Sequence, residues 1–578
     1  MPLADELAAA GVGVGTPLAV VIVPGKGLAL AWEQEGRTIE DPYPAKVVRD
    51  VAALNPRWTW WSARETATAL IAAQVRPRTC WDLAAVGRLA HGIRRGDPGA
   101  IWAAGHGLPE PPVVGPRLDL LDLDTDGTGP VRPDGQLSRE WLAGAWSSTL
   151  PAALTWARLA LGVQCTQEAL LRELPDPRTA PRQLPLALLT ARAESAAALL
   201  AVELEHDGLP VDRAVAARLL DRLIGPRPAD AAAAAEQRRQ RDAAVLQHFP
   251  GPPIDLRHPL QVRGLLARIG LDLPDTRSWR LEPHAGTSPG VAALLAWRKA
   301  ERLATTYGWG WLDRHVSADG RLRGAWGAAD AAAGRMTAQA GLHNLPGELR
   351  PAIIAAPGWV FVRADLGQVE PRVLAAVSGD LGLARAAQED DLYAPVAAQL
   401  RCDRPTAKIA VLAAMYGQTS GAAGAALRDM DRAYPSAMAY LRAAEAAGMA
   451  GTDLRTYGGR LLRLTASPAL PEPEEDATHQ RASPTHGRFA RNAVVQGAAA
   501  ELFKAWAVTV RDGIGTGGGE VVLCLHDELL LHVPRDGAEQ AAALLRDALA
   551  ATADWWAAGS RVRFVAEVST ADSWADTH

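Results

Sequence analysis

A chain of 578 residues is too long for one core, so several domains are expected. Hydrophobic residues make up 48% and the net charge is -5, which excludes a disordered polyelectrolyte and leaves nucleic-acid binding to a local basic groove. No apolar run approaches the roughly 20 residues of a membrane helix, MPLADELAAAGVGVG lacks a positive n-region, and Cys80, Cys165, Cys402 and Cys524 are too scattered for a disulfide framework or zinc site, so a soluble cytoplasmic protein is expected.

Residues 1–195 are rich in Pro and Trp, with short apolar runs such as LAVVIV (18–23), and suggest a small α/β or α+β domain. From 186 to 222 the pattern predicts helix, turn, helix, with Gly208–Leu209–Pro210 as the break. An exposed Ala/Arg-rich helix is expected over 225–245 and another helix over 290–315, carrying Arg298, Lys299 and Arg302. GWVFVRA (358–364) predicts a strand, followed by a helix through RVLAAVSG. Helices are expected over 404–417, 488–512 and 537–552, a polar loop over 467–487 and a last strand near 560–568. Only Lys26, Lys46, Lys299, Lys408 and Lys504 are lysines; the other 55 of 60 basic residues are arginine, so each lysine merits attention.

Three stretches can carry chemistry. VVLCLHDELLLHVP (521–534) reads as two strands joined by a tight hairpin with His526, Asp527 and Glu528 at its tip. A plain polar turn would look the same. In FVRADLGQVEPRVLAAVSGD (361–380), Asp365 ends an apolar strand and Glu370 follows near a helix start; helix capping is the competing explanation. In RPTAKIAVLAAMYGQ (404–418), Arg404, Lys408, Leu412 and Tyr416 recur every four residues and wind slowly along one helix face. That stripe suits a polyphosphate, although a solvated amphipathic face has the same spacing. Together the three are more specific: two carboxylates at strand ends are what a two-metal phosphoryl-transfer site requires, with a basic helix to neutralise a triphosphate. Magnesium suits such oxygen donors.

In order and spacing these segments resemble the family A DNA polymerases, the polymerase region of bacterial DNA polymerase I. FVRADLGQVEPRVLAAVSGD is similar to the first palm motif, usually DYSQIELR; RPTAKIAVLAAMYG to the fingers helix; LCLHDELLLHVP to the second palm motif. GRMTAQAGLHNLP (334–346), RFARNAVVQGAAAELFK (488–504) and WRKAERLATTY (297–307) agree with further family segments. The likeness runs from about 186 to the C-terminus.

The resemblance implies an α/β multidomain right hand. An N-terminal RNase H-like, exonuclease-type domain would occupy 1–185, thumb and palm entry 186–333, the first part of the palm 334–400, fingers 401–487 and the second part of the palm 488–578. It implies template-directed addition of deoxynucleotides to a primer end, with Asp365 and Asp527 holding two magnesium ions, for which manganese can substitute. Glu528 would assist near the primer end. Arg404 and Lys408 would meet the triphosphate, Lys408 also taking part in catalysis. Gln368, Glu370, Tyr393, Leu412 and Tyr416 would shape the nucleotide pocket, Glu370 crowding the sugar 2′ position. Arg335, Asn344, Arg488, Asn492, Gln496 and His526 would line the duplex or primer end, and Arg298, Arg302 and Thr306 would lie on DNA phosphates. Primer–template DNA and dNTPs are the implied partners of a monomer associated with the nucleoid.

The chain also departs from the family pattern. Leu412 stands where the family has Phe or Tyr, Tyr393 where it has His, and Leu366 where it has Tyr; the segment after Asn344 is short. LAVVIVPGKGLALAW lacks the DxE pair of a proofreading nuclease, LTWARLALG replaces YxxxD, and Asp82 is the one remnant of a middle motif, so the N-terminal domain is expected to be inactive. The 5′-nuclease domain of full-length relatives is absent from the sequence. DLDTDGTG (122–129) imitates an EF-hand loop but has Pro133 where a bidentate Glu is needed, and reads as an acidic turn. The competing functions are a catalytically impaired DNA-binding protein on the same fold, or a polymerase with residual 3′–5′ exonuclease activity.

Overall fold

LAVVIV is the central strand of a five-stranded sheet. The computed structural model describes residues 3–113, 129–329, 333–417, 422–464 and 484–577. Strands β1 (Pro17–Val23), β2 (Gly27–Trp32), β3 (Glu35–Glu40), β4 (Arg57–Trp60) and β5 (Thr79–Asp82) have the order β3-β2-β1-β4-β5. The β1–β2 and β2–β3 pairs are antiparallel; β1–β4 and β4–β5 are parallel. Successive side chains point to opposite faces, and here both faces are covered. Leu18, Val20, Leu28, Leu30, Trp58 and Trp60 join one core, and Ala19, Val21, Ala29, Ala31 and Trp81 the other. Helices α1 (Leu83–His91) and α2 (Leu150–Glu173) belong to the second core, where Trp156 stacks on Trp61 at 4.6 Å. Almost all of the EF-hand-like stretch lies outside the described residues.

Helix α3 (Leu186–Asp207) packs on β5 and α1. It ends at the predicted break because Gly208 takes φ 71°, the left-handed conformation that closes helices. The chain divides here: residues 3–207, 325–337 and 358–570 form one unit, and 208–324, 338–357 and 571–577 a second. The expected segment 186–333 is therefore shared between the two units.

The second unit contains α4 (Arg213–Ile224), α5 (Ala231–Leu246), α6 (Pro289–Thr306) and α7 (Trp309–His315). Its core joins Val245, Phe249, Leu265, Leu266, Leu281, Leu294 and Trp297. Helix α5 is exposed as expected, with only Val245 buried. The single helix expected over 290–315 is broken at Tyr307–Gly308. Tyr307 is buried there, and its hydroxyl donates to the Asn344 carbonyl at 2.7 Å.

The rest of the first unit holds β6 (Trp359–Leu366), α8 (Val369–Ser378), α9 (Tyr393–Leu400), α10 (Arg404–Tyr416), α11 (Pro435–Met449), α12 (Pro484–Ile514), β7 (Glu520–Leu525), β8 (Glu528–Pro534), α13 (Ala538–Trp556) and β9 (Ala566–Ala571). The sheet order is β7-β8-β6-β9. The last strand begins later than the expected 560. Before it, the Arg563 amide donates to the Ala387 carbonyl and the Val565 carbonyl accepts from Gly367, so this backbone ties down loops instead of joining the ladder. Helix α12 starts within the expected polar loop, at Pro484; residues 465–483 lie outside the described residues.

Candidate active site

Antiparallel register brings the two distant carboxylates together. On β6 and β8, Trp359 pairs with Pro534 and the ladder runs without a slip to Asp365 opposite Glu528. The hairpin loop is His526–Asp527, with His526 at φ 55°, and Glu528 is already the first residue of β8. The Leu366 amide donates to the Asp527 carbonyl at 2.9 Å, which sets Asp527 beside Asp365. Asp365 caps no helix: Gln368 occupies the N-cap position of α8 and its side chain makes no cap bond, while Glu370 does lie in the first turn of that helix.

The electrostatics are those of crowded acids. Burial, followed by repulsion from Asp527, raises the Asp365 carboxyl to about 6. Burial also raises Asp527, with Glu528 and Glu370 adding to the effect. Arg363 is the local counter-charge, 2.8 Å from Asp365 and 3.0 Å from Glu528. Among the described residues no group of three or more His, Cys, Asp or Glu is arranged to hold a metal. Two carboxylates still fit magnesium, which completes its shell with water and substrate phosphate.

A stability prediction follows from Asp365. Its folded value lies above the ordinary 3.8, so the stability from the protonated form is complete below about pH 4 and is lost as pH rises through 6. Asp365→Asn removes the repulsion and still accepts from Arg363. In EDTA at pH 8 the variant should be more stable than wild type by about 1 kcal/mol, once screening of a partly exposed group is allowed for. The gap should narrow towards pH 5; thermal melts showing a gap independent of pH would contradict this.

The residues expected to shape the nucleotide pocket form two bonded groups. Tyr416 donates to Glu370 at 3.2 Å, joining α10 to α8, and Arg335 acts electrostatically on the same Tyr. Arg404 is paired with Asp391 at 2.6 Å, and Asp391 also accepts from the Gln368 side chain at 2.9 Å. Tyr393 does not line a surface: it is 5% exposed, and the Arg404 guanidinium lies 5.7 Å from its ring centroid. Lys408 is exposed and has no hydrogen bond or ion pair among the described residues. Leu412 is half-buried against the core that includes Val373, Val411 and Met415.

Two residues here were not singled out from sequence. Asp391 organises Arg404 and Gln368. Arg372, fully buried, supports Asp391: it donates to the carbonyls of Gly367, Ala387, Glu389, Asp390 and Arg563 at 2.6–3.1 Å. The signal for Arg372 was available, since it is the closing Arg of the first palm motif.

On α12, Arg488, Asn492 and Gln496 are spaced four apart on one face, the first exposed and the others half-buried. Asn492 Oδ1 is buried and has no hydrogen-bond partner among the described residues. Arg491, between them, points inward to the Ala414 carbonyl and Glu445, both at 2.6 Å. Further along, Lys504 pairs with Glu194 and donates to the Gly334 carbonyl at 2.7 Å, while Arg460 pairs with the same Glu at 2.6 Å. Gly334 has φ 81°, and a Cβ there would come within 2.4 Å of the Arg460 guanidinium, so the Gly before Arg335 is required twice over. Arg335 and His526 are exposed.

In the second unit, Arg302 and Thr306 are exposed on α6, and Asn344 lies in a short 3₁₀ turn. Arg298 is drawn inward: it donates to both the carbonyl and the hydroxyl of Thr276. Asp82 accepts from Ala63 N, Ala85 N and Trp60 Nε1 at 2.6–3.1 Å and is 2% exposed, so it serves as a helix cap and core acceptor.

Residues 270–576, just over half of the chain, match the family model described as DNA polymerase family A. The chain is 32% identical to DNA polymerase I of Chloroflexus aurantiacus over 302 residues, 46% of this chain and 31% of that protein. It is 26% identical to DNA polymerase I of Deinococcus radiodurans over 375 residues, 57% and 37% of the two chains. The matched region thus spans about a third of the length of these relatives. The POL domain of Pol1 from M. smegmatis, in complex with DNA primer-template and dNTP, superposes with a TM-score of 0.67 at 20% identity, covering 100% of this chain and 98% of that one. That likeness shows the fold, including the N-terminal part outside the family match.

Proposed function

The chain belongs to DNA polymerase family A, and from that premise we propose that it extends a DNA primer on a template by transferring deoxynucleotides and releasing pyrophosphate. The observation that carries this is the register that sets Asp365 beside Asp527, with the Arg404–Tyr416 helix joined to the same site through Glu370. Asp365 and Asp527 would hold two magnesium ions, which when bound activate the attacking oxygen and stabilise the leaving pyrophosphate. Lys408, exposed and unpaired among the described residues, would neutralise the triphosphate, with Arg404 delivered on the Asp391 mount. Glu370 would exclude the ribose 2′-hydroxyl, and Gln368 would keep the Asp391 loop in place. Arg335, Arg488, Asn492, Gln496 and His526 would contact the duplex or primer end, and Asn344, Arg302 and Thr306 would contact DNA from the second unit. Glu528 holds Arg363 and flanks the primer end. The reading carries with it a monomer working on nucleoid DNA in the cytoplasm. No helix among the described residues is long and apolar enough to cross a membrane.

Primer extension with magnesium and four dNTPs, with Asp527→Ala as control, tests the proposal. Duplex binding without extension would indicate a DNA-binding protein. Shortening of the primer without dNTPs, persisting in the control, would place a nuclease in the N-terminal domain, against the closed hydrogen-bonding of Asp82.

Leu412 bears on affinity. Base–aromatic stacking contributes roughly 1–3 kcal/mol, and a leucine forgoes most of it. Leu412→Phe should lower the KM for dNTP at least threefold; an unchanged or higher KM would count against a base stacking at this position.

A further inference from the structure

Resting on that reading of the palm, we infer that Arg363 is a built-in counter-cation that competes with divalent metal for Asp365. It keeps metal affinity low until the nucleotide brings its own phosphates. The placement is dictated by the strand. Arg363 lies two residues before Asp365 on β6 and therefore on the same sheet face, and Glu528 stands opposite Asp365 on β8. One guanidinium nitrogen, Nη2, lies 2.8 Å from Asp365 Oδ2 and 3.1 Å from Glu528 Oε2, while Nε is 3.0 Å from Glu528 Oε1. The Arg363 side chain is only 9% exposed, so it cannot swing into water as a surface arginine would. Glu567 on β9 adds a further negative charge acting on it. Nη2 thus takes up a lone pair on Asp365 Oδ2 that a cation would use, and the guanidinium charge opposes the cation directly. A buried arginine inside the largely apolar strand WVFVRADL needs such a partner set to be tolerated.

The test is titration of the full chain with Mn2+ alone, without nucleotide or DNA, read by electron paramagnetic resonance or calorimetry. Arg363→Met keeps the aliphatic stem and removes the charge. Its Mn2+ affinity should rise on the order of tenfold, the effect of removing one unit charge at high effective dielectric. Its Tm should fall in EDTA and recover with Mn2+ by more than the wild type gains. Arg363→Met/Glu528→Gln restores the net charge and protects against misfolding of the single variant; it should still bind Mn2+ more tightly than wild type, because Asp365 is released. Adding Asp365→Asn to Arg363→Met should erase the gain. Unchanged or weaker Mn2+ binding in both arginine variants, or a gain that survives Asp365→Asn, overturns the inference and leaves Arg363 as a core ion pair. Absence of primer extension by the wild type would overturn the polymerase reading and leave the Mn2+ result standing.

Discussion

Asp527→Ala is expected to lower the rate of primer extension by about 10³–10⁴-fold, the loss of several kcal/mol of transition-state charge stabilisation. Two acidic side chains that act on Asp527, Glu528 and Glu370, are both engaged. Glu528, the adjacent carboxylate, is committed to Arg363 at 3.0 Å, and Glu370 accepts from Tyr416 at 3.2 Å. The variant should nonetheless be folded. Asp527 sits at a hairpin tip, and the bond that places it uses its backbone carbonyl, which alanine retains. Removing its charge also relieves Asp365, whose carboxyl is raised partly by Asp527. The metal-free Tm should therefore stay level or rise while activity collapses. A rate within tenfold of wild type, measured in a single-turnover assay on a primer–template duplex, would remove Asp527 from the chemistry and the polymerase reading with it.

Lys504→Ala is expected to have the largest effect on stability, about 3–5 kcal/mol, because it leaves one partner of a buried ion pair behind. Lys504 is fully buried, and Glu194 is 1% exposed. Burial pulls the ammonium well below the ordinary lysine value, and Glu194 opposes that pull. Without Lys504, Glu194 keeps Arg460 as its one ion-pair partner among the described residues, and the carbonyls of Ala328 and Gly334 each lose the Lys504 donor. The damage reaches function because Gly334 precedes Arg335. Lys46→Ala is the matched control: Lys46 is exposed, and its loss should cost less than about 0.5 kcal/mol. Denaturation midpoints for the two variants should differ clearly; equal midpoints would mean the buried pair is not what holds this segment. Lys504→Met/Glu194→Gln, which removes both charges, should recover part of the loss.

The site residues were legible in the sequence to different degrees. Asp365 and Asp527 were legible as carboxylates at strand ends, and Arg404, Lys408, Leu412 and Tyr416 as one helix face, because period 2 and period 3.6 are local properties of the chain. The exposure of the four on α10 agrees with that face: three exposed and Leu412 half-buried. The resemblance implies that Arg298 and Tyr393 face ligand, yet Arg298 is bound to Thr276 and Tyr393 is buried under Arg404. Spacing could not show this, since residue type and position along a helix do not say which partner claims the side chain. Asp391 was overlooked for the same reason, since its work is to hold the Arg404 and Gln368 side chains; Arg372, legible as the closing Arg of the first palm motif, holds backbone scattered from Gly367 to Arg563.

By itself the sequence determined much of the strand–helix order, a hairpin around His526, Asp527 and Glu528, and the inventory of charges; that Glu528 already belongs to β8 came from the structure. The first three depend on neighbours in the chain, where sterics and periodic burial act directly. Only the tertiary structure decided that Asp365 and Asp527, 162 residues apart, share one site, and that Arg363 lies between Asp365 and Glu528. A cross-strand register is set by the burial of whole strands against each other. Whether a charge is free or claimed depends on what that register brings within about 3 Å.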